Sequence, residues 1–307
     1  MKIFTKIKDI TATYKNVAVA LGTFDGMHVG HQSIVRRALE LARAQEGYAA
    51  VFTFNNHPLS IVAPAQAPPT IGSPRIRARI LAEMGVDILF NIKFTKEFSR
   101  IAPEKFLALL RDNIAPSYVV TGDNFTFGKG GKGTTRTLMR LASEYGFAAE
   151  ICPTVLSGGR AVSSTRIREL IKNGDLSLAN EFLGHPFTYA ARVEHGDKRG
   201  RTLGFPTANL YLARRQVMLP GGVYAAQAVW HGEKYNALAN IGYNPTFAGQ
   251  EYRLEVNLQN FRRNIYDQIL QVSFLAKLRD ERKFDSPQQL VRQLKKDRAT
   301  AAKYWVQ

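Results

Sequence analysis

The run Gly22-Thr-Phe-Asp-Gly-Met-His-Val-Gly-His31 constrains this chain more than any other segment, because of what stands on either side of it. Val17–Gly22 reads as a short buried strand, and from about residue 30 to 46 Ile34, Ala38, Leu41 and Ala42 recur at helical spacing. A strand that passes through glycines into a helix is the opening of a parallel α/β unit. Ligands of such units gather beyond the carboxyl ends of the strands. Glycines let a ligand approach the backbone closely, and the helix start offers free N–H groups and positive dipole to phosphate. His28 and His31 are three apart and so share one side of the first helical turn. Two imidazoles there suit nucleotide phosphates and the charge on a leaving group. Gly22, Phe24, Asp25 and Gly30 are the further phosphate-contact candidates of this turn. Metal binding by His-x-x-His is the rival reading, and it lacks a nearby third ligand.

The alternation continues. Ala49–Phe54, Val86–Ile92, Tyr118–Thr121 and Phe147–Ile151 read as strands, with helices expected over Pro74–Met84, Pro103–Leu110 and Thr134–Tyr145. Val62–Pro74, rich in Ala and Pro, reads as a loop. The pattern changes at Leu183-Gly-His-Pro186. Phe187–Glu194, Val223–Trp230, Tyr235–Ile241, Tyr252–Leu258 and Ile269–Leu275 are strand-like and separated by turn residues. Only Ser286–Tyr304 has a helical period, with Leu290, Leu294 and Ala301 apolar and Ser286-Pro287 as N-cap and helix-starting proline. The expected class is therefore α/β: a Rossmann-like parallel sheet over 1–183, then a small antiparallel β-barrel with a terminal helix over 184–307.

Charge and cysteine content narrow the setting. The 42 Lys and Arg against 25 Asp and Glu give a net charge of +17, spread over both halves. Such a bias attracts polyanions in general. The chain has no helix of clustered Arg and Lys and no aromatic–basic ribonucleoprotein motif, so no nucleic-acid partner is expected. The early apolar run Val17–Leu21 is too short to span a membrane, and no membrane partner is expected. The single cysteine, Cys152, lies in an apolar run and reads as a core thiol; a reducing, cytoplasmic location is the default.

Three more segments carry chemistry. Gly122-Asp-Asn-Phe-Thr-Phe-Gly128 follows the strand Tyr118–Thr121 and so reaches the same sheet edge; Asn124 offers amide donors and an acceptor. The stretch Gly128–Gly133 is a basic glycine loop and not a P-loop, since Thr134 follows Gly133 directly with no Lys between. Ser163-Ser-Thr-Arg-Ile-Arg168 combines hydroxyls with two arginines, a set for phosphate or ribose. Farther on, Gly196-Asp-Lys-Arg-Gly-Arg-Thr-Leu-Gly204 is a cationic glycine loop. Its Gly196, Lys198, Gly200 and Gly204 are candidates for wrapping polyphosphate. Thr207 and Asn209 just after it supply hard oxygen ligands of the kind Mg²⁺ accepts beside phosphates.

Taken in order, GTFDGMHVGHQ, GDNFTFGKG and SSTRIR resemble the adenylyltransferase module of prokaryotic bifunctional riboflavin kinase/FAD synthetase. GRTLGFPTANL, GVYAA, NIGYNPTF and LRDERKFDS resemble the kinase module of the same family. The likeness runs from about Val17 to Tyr304. It implies two reactions: riboflavin and ATP giving FMN and ADP in the C-terminal part, and FMN and ATP giving FAD and pyrophosphate in the N-terminal part. By matching positions it implies that His28, His31, Ser164, Thr165 and Arg168 contact ATP and that Asn124 serves both substrates. It further implies that Phe54, His57 and Pro58, in the FTFNNHP segment, lie on the flavin side, and that Glu255 is the base for the riboflavin hydroxyl. Mg²⁺ is the implied cofactor of both steps, with ATP as co-substrate. The chain departs from the family at three places: Asn56 stands where Pro is usual, Asn257 where His is frequent, and Asp267 where Gly is frequent. A glycine lost from a tight turn costs more where φ must be positive, though Asp tolerates that better than most residues.

Overall fold

The computed structural model describes residues 1–9, 14–195, 205–212, 215–246 and 249–305. It divides into two compact units, Met1–Thr70 with Pro74–Ser164, and Ile71–Ser73 with Thr165–Gln307.

The first unit is built on β1 (Lys2–Phe4), β2 (Val17–Leu21), α1 (Val29–Ala44), β3 (Ala49–Phe54), the single turn α2 (Leu59–Val62), α3 (Pro74–Glu83), β4 (Ile88–Ile92), α4 (Pro103–Ile114) and β5 (Pro116–Gly122). These are followed by the hairpin β6 (Thr126–Phe127) and β7 (Gly133–Thr134), α5 (Thr135–Leu141), β8 (Ala148–Cys152), and a second hairpin of β9 (Leu156–Ser157) and β10 (Arg160–Ala161). Six strands form one parallel sheet in the order β1-β4-β3-β2-β5-β8. The chain leaves β2 toward β3 on one side and reaches β5 on the other, so the strand order reverses between β2 and β5. A crevice opens beyond the strand ends at such a reversal, and it is where ligands of open α/β sheets bind. The glycine turn after β2 and the Gly122 loop after β5 stand there together.

The β2 residues are buried throughout, as a strand with neighbours on both sides and helices on both faces must be. On α1, Ile34, Val35, Ala38 and Ala42 are buried. Burying an Ile or Val side chain contributes about 1.5–3 kcal/mol, enough to fix the helix over the sheet. Leu41, expected on that face, is only half-buried. Cys152 is buried as expected, and burial pushes its thiol pKa up. The helix expected over Thr134–Tyr145 is shorter: α5 stops at Leu141 and a 3₁₀ turn, Ser143–Tyr145, ends at Gly146 with φ 78. The loop expected over Val62–Pro74 holds a 3₁₀ turn at Pro64–Gln66. Residues β1, β6, β7, β9 and β10 span two or three positions each, too few for a period to register in sequence.

The second unit begins with α6 (Ser164–Asn173) and α7 (Leu176–Leu183), and continues with β11 (Phe187–Glu194), β12 (Ala208–Tyr211), β13 (Gly222–Trp230), β14 (Glu233–Thr246), β15 (Gly249–Leu258), β16 (Ile269–Arg279) and α8 (Pro287–Ala301). The strands close into a barrel in the order β11-β12-β15-β14-β13-β16, every pair antiparallel. The change of sequence pattern at 183/184 marks the start of the barrel. The compact unit starts earlier because α7 is pinned to it: Asn180 Nδ2 donates to the Phe274 carbonyl (3.0 Å), and its Oδ1 accepts from Phe187 N (2.7 Å). Helix α8 is capped by Ser286, whose hydroxyl accepts from Gln289 N (3.3 Å), with Pro287 in the first turn. Its one buried carboxylate, Asp297, is held by the guanidinium of Arg279 on β16 (2.9 Å). Asp267 has φ 62 and its N–H donates to the Val193 carbonyl (2.8 Å), so the turn does require a left-handed residue there.

Candidate functional site

The first site is the turn that joins β2 to α1. Phe24 and Met27 adopt positive φ (49 and 47), as does Gly26 (78), in a turn that buries Asp25, Gly26 and Met27. Left-handed non-glycine residues concentrate where surrounding structure enforces them for a purpose. Phe24 is fully buried, and a Cβ on Gly22 would meet its ring at 3.0 Å, so the glycine makes the room that the ring fills. His28 is the N-cap of α1, and its Nδ1 accepts from His31 N (3.2 Å). That bond fixes the tautomer of a neutral imidazole with the proton on Nε2. The two imidazoles stack at 3.5 Å with 18° between planes, and His31 meets the Phe24 ring edge-on at 5.4 Å. A Cβ on Gly30 would press on the His28 ring at 3.2 Å, which accounts for the glycine between the histidines. Gln32 steadies the turn from below, its Nε2 donating to the Met27 carbonyl (2.8 Å).

A cavity of about 570 Å³ opens beside this turn. Gly22, Phe24, His31, Asn124, Phe54 and Pro58 line it. Phe94, Phe98 and Phe106, which sequence reasoning missed, and Phe125 and Phe127 of the Gly122–Gly128 segment complete an aromatic wall. Phe54 meets Phe94 (4.9 Å) and Phe98 (5.3 Å) edge-on, while Phe125 and Phe127 stack at 5.7 Å. A planar heteroaromatic ring fits such a wall. Gly130 and Gly131 of the basic loop also line it, with Lys129 and Lys132 exposed nearby. His57 is not among the lining residues; its Nδ1 accepts from Leu59 N (3.2 Å). Asn56 has taken on a definite job in place of proline: its amide exchanges two hydrogen bonds with the backbone of Phe94 (3.0 and 2.9 Å), clamping the loop after β3 to the loop after β4. The Ser164 hydroxyl donates to the Asp25 carbonyl (3.2 Å). Thr165, exposed, and Arg168, buried, follow on α6, which groups with the second unit.

The second site lies on the barrel, where register sets Asn209 on β12 and Asn240 on β14 on either side of Glu255 on β15. Asn209 is buried, and its Oδ1 accepts from Arg253 Nε (3.0 Å). The same Nε lies 3.2 Å from Glu255 Oε1, so one guanidinium holds both polar groups in place. Asn257, standing where the family often has His, donates to the Pro206 carbonyl (2.8 Å) and thereby fixes the backbone just before Thr207. Thr207 lines two cavities. One, of about 360 Å³, is lined by Glu255 and Arg253, by Arg279, Glu281 and Arg282, and by apolar Leu238, Phe284, Leu290 and Leu294. The other, of about 530 Å³, carries Arg262, Arg263 and Asn264 and no carboxylate among its lining residues. Arg263 is engaged by Glu233 (2.7 Å) and lies over the Trp230 ring (5.1 Å). Gly196, Lys198, Gly200 and Gly204 lie outside the described residues.

Among the described residues no three His, Cys, Asp or Glu stand together as a metal cage. Thr207 and Asn209 both line the cavity of about 360 Å³ and offer a small set of hard oxygen donors there. That set fits an ion such as Mg²⁺, which takes few protein ligands and completes its shell with phosphate and water. No helix among the described residues is long and apolar enough to cross a membrane.

Two family models match the chain, one described as FAD synthetase over residues 10–166 and one as Riboflavin kinase over residues 183–305. A relative from Bacillus subtilis, named bifunctional riboflavin kinase/FMN adenylyltransferase, is 35% identical over 292 residues, covering 94% of this chain and 92% of that one. A protein of the same name from Escherichia coli K12 is 36% identical over 308 residues, covering 99% and 98%. A solved structure called a macrolide-efflux protein, from Streptococcus pneumoniae, superposes with a TM-score of 0.85 at 36% identity, covering 99% of each chain.

Proposed function

We propose, since the chain belongs to the family of bifunctional riboflavin kinases/FMN adenylyltransferases, that its two sites divide two consecutive reactions between them. The enzyme phosphorylates riboflavin to FMN with ATP, and adenylylates FMN to FAD with release of pyrophosphate. We assign adenylylation to residues 1–183 and phosphorylation to residues 184–307, a division supported by the spans of the two family models.

The observation that carries the N-terminal assignment is the His28–His31 stack on the first turn of α1, facing an aromatic cavity at the reversal of strand order. An FMN phosphate oxygen attacks the α-phosphorus of ATP and pyrophosphate leaves, with no protein nucleophile. Imidazole N–H groups and the α1 N-terminus take up the negative charge that develops. Phe54, Pro58 and the aromatic wall hold the flavin ring, and Asn124 stands where both substrates meet. Ser164, whose hydroxyl donates to the Asp25 carbonyl, adds to the ATP contacts in this reading. Gly30→Ala then presses a methyl group on the His28 ring, a strain of about 1–3 kcal/mol. The expected result is a KM for ATP in FAD formation raised roughly tenfold, read by steady-state kinetics at saturating FMN; an unchanged KM removes His28 from the ATP site.

In the kinase part, the flavin takes the cavity walled by Leu238, Phe284, Leu290 and Leu294 and the polyphosphate takes the cavity that carries Arg262 and Arg263, with Thr207 lining both. Glu255 accepts the proton of the riboflavin 5′-hydroxyl as it attacks the γ-phosphorus, and Arg253 keeps that carboxylate oriented. Thr207 and Asn209 would hold Mg²⁺, which when bound would neutralise charge on the phosphates. Gly196, Lys198, Gly200 and Gly204 are assigned to the same phosphates. The location assigned is the cytoplasm, in keeping with a lone buried Cys152. Incubation with riboflavin, ATP and Mg²⁺ is expected to give FMN first and FAD second. Excess EDTA is expected to stop both, as read by chromatographic separation of the flavins. Undiminished FMN formation in EDTA excludes the metal assignment.

A further inference from the structure

Arg77 is one of few charged side chains buried in the first unit, with a relative exposure of 9%, and neither its sequence position nor its neighbours Arg75 and Arg79 set it apart from a solvated helix face. It projects from α3 to the carboxyl ends of three adjacent strands. One terminal nitrogen donates to the Thr23 carbonyl (3.0 Å), and the other donates to the Phe54 carbonyl and to Asn91 Oδ1 (3.0 Å). Thr23 follows β2, Phe54 ends β3, and Asn91 lies in β4. The Thr23 carbonyl also accepts the Thr53 hydroxyl (3.0 Å), so two donors from different elements converge on one oxygen of the nucleotide turn. Burial draws the Arg77 pKa down to about 10, against the pull of Asp25, so the group stays charged at neutral pH.

A well-packed apolar side chain stabilises a core as well as a buried ion does, or better. A guanidinium kept in such a place is therefore explained by what its geometry does. Its planar fork can hold carbonyls on two loops at a fixed separation, which a lysine ammonium cannot. The two loops are the ones assigned to different substrates. Thr23 immediately precedes Phe24, the ring against which His31 rests. Phe54 lines the flavin side of the cavity.

We propose that Arg77 is a positioning residue for adenylyl transfer, locking the ATP-binding turn to the flavin-binding strand end and so setting the gap between attacking phosphate and α-phosphorus. This rests on the assignment of ATP to the His28–His31 turn and FMN to the Phe54 side. Without the fork, each substrate keeps its own contacts while their separation loosens. A misplacement of about 1 Å costs roughly 100-fold in rate without a matching loss of binding.

The test uses the full chain carrying Arg77→Met or Arg77→Lys, supplied with FMN and ATP. For Arg77→Met the kcat for FAD formation is expected to fall on the order of 100-fold, while the KM values for ATP and FMN stay within about threefold. Arg77→Lys restores less than about a tenth of the lost rate, because charge returns and the fork does not. Calorimetric FMN-binding stoichiometry is expected to equal that of the unsubstituted chain, whereas a partly unfolded unit lowers it. Riboflavin phosphorylation by the same chains is expected to be unchanged. A kcat within threefold of the original in Arg77→Met overturns the proposal, as does a loss confined to KM or full rescue by lysine. Should Arg77→Met lower the stoichiometry, Arg77→Lys decides: it keeps the buried charge without the fork, and a kcat within threefold of the original there overturns the proposal. Failure of the site assignment shows differently, as FAD formation that survives His31→Ala.

Discussion

His31→Ala is expected to lower FAD formation from FMN at least about 100-fold, the loss typical of removing one preorganised donor aimed at developing charge, while FMN formation from riboflavin stays within about twofold. The imidazole stacks on His28 at 3.5 Å and lines the cavity, so its removal takes away both a donor and the support of its partner. Alanine is the best helix former, and the N–H of residue 31 still reaches His28 Nδ1, so the turn keeps its fold. The effect should appear in kcat more than in the KM for FMN, because the flavin side of the cavity is untouched. Equal loss of both activities would mean that the substitution unfolds the chain or that one site serves both reactions.

The second large effect is expected at Glu255. Replacement by Gln keeps size and removes the ability to accept a proton, so FMN formation should fall about 10²–10⁴-fold. FAD formation from supplied FMN should persist. Arg253 loses its ion pair but keeps Asn209 Oδ1 as acceptor, so the strand pairing of β12 with β15 is retained. A Gln variant with kcat for phosphorylation near the original would remove Glu255 from the role of base and leave it as one of the polar residues that hold Arg253.

The contrast between these residues shows what a linear chain reveals. His28, Gly30 and His31 are readable because strand end, turn and helix start are local, and local geometry dictates where each imidazole lies. Glycine positions are readable for the same reason: Gly22 and Gly30 exist to admit rings from residues two positions away. Glu255 is an unremarkable polar residue of an alternating strand until barrel closure sets it opposite Asn209, 46 positions earlier in sequence. The aromatic wall is invisible for the same cause, since Phe94, Phe106 and Phe125 belong to separate segments that only the sheet order brings together. Arg77 is concealed by its own helix, whose arginines at 75, 77 and 79 look alike. Departures from the family pattern are a partial exception. Asp267 does adopt positive φ, the case in which losing a glycine costs most and Asp is tolerated best, while the Asn56 clamp on Phe94 depends on a partner 38 positions away that no local pattern discloses.

Independence of the two sites is decided most directly by separating riboflavin, FMN and FAD after the His31→Ala and Glu255→Gln chains are incubated with riboflavin, ATP and Mg²⁺, singly and mixed. Two sites on one chain predict FMN without FAD from the first, almost no product from the second, and FAD from the mixture. If the mixture yields no FAD although each chain remains folded, or if each single variant loses both activities, the two-site assignment is contradicted.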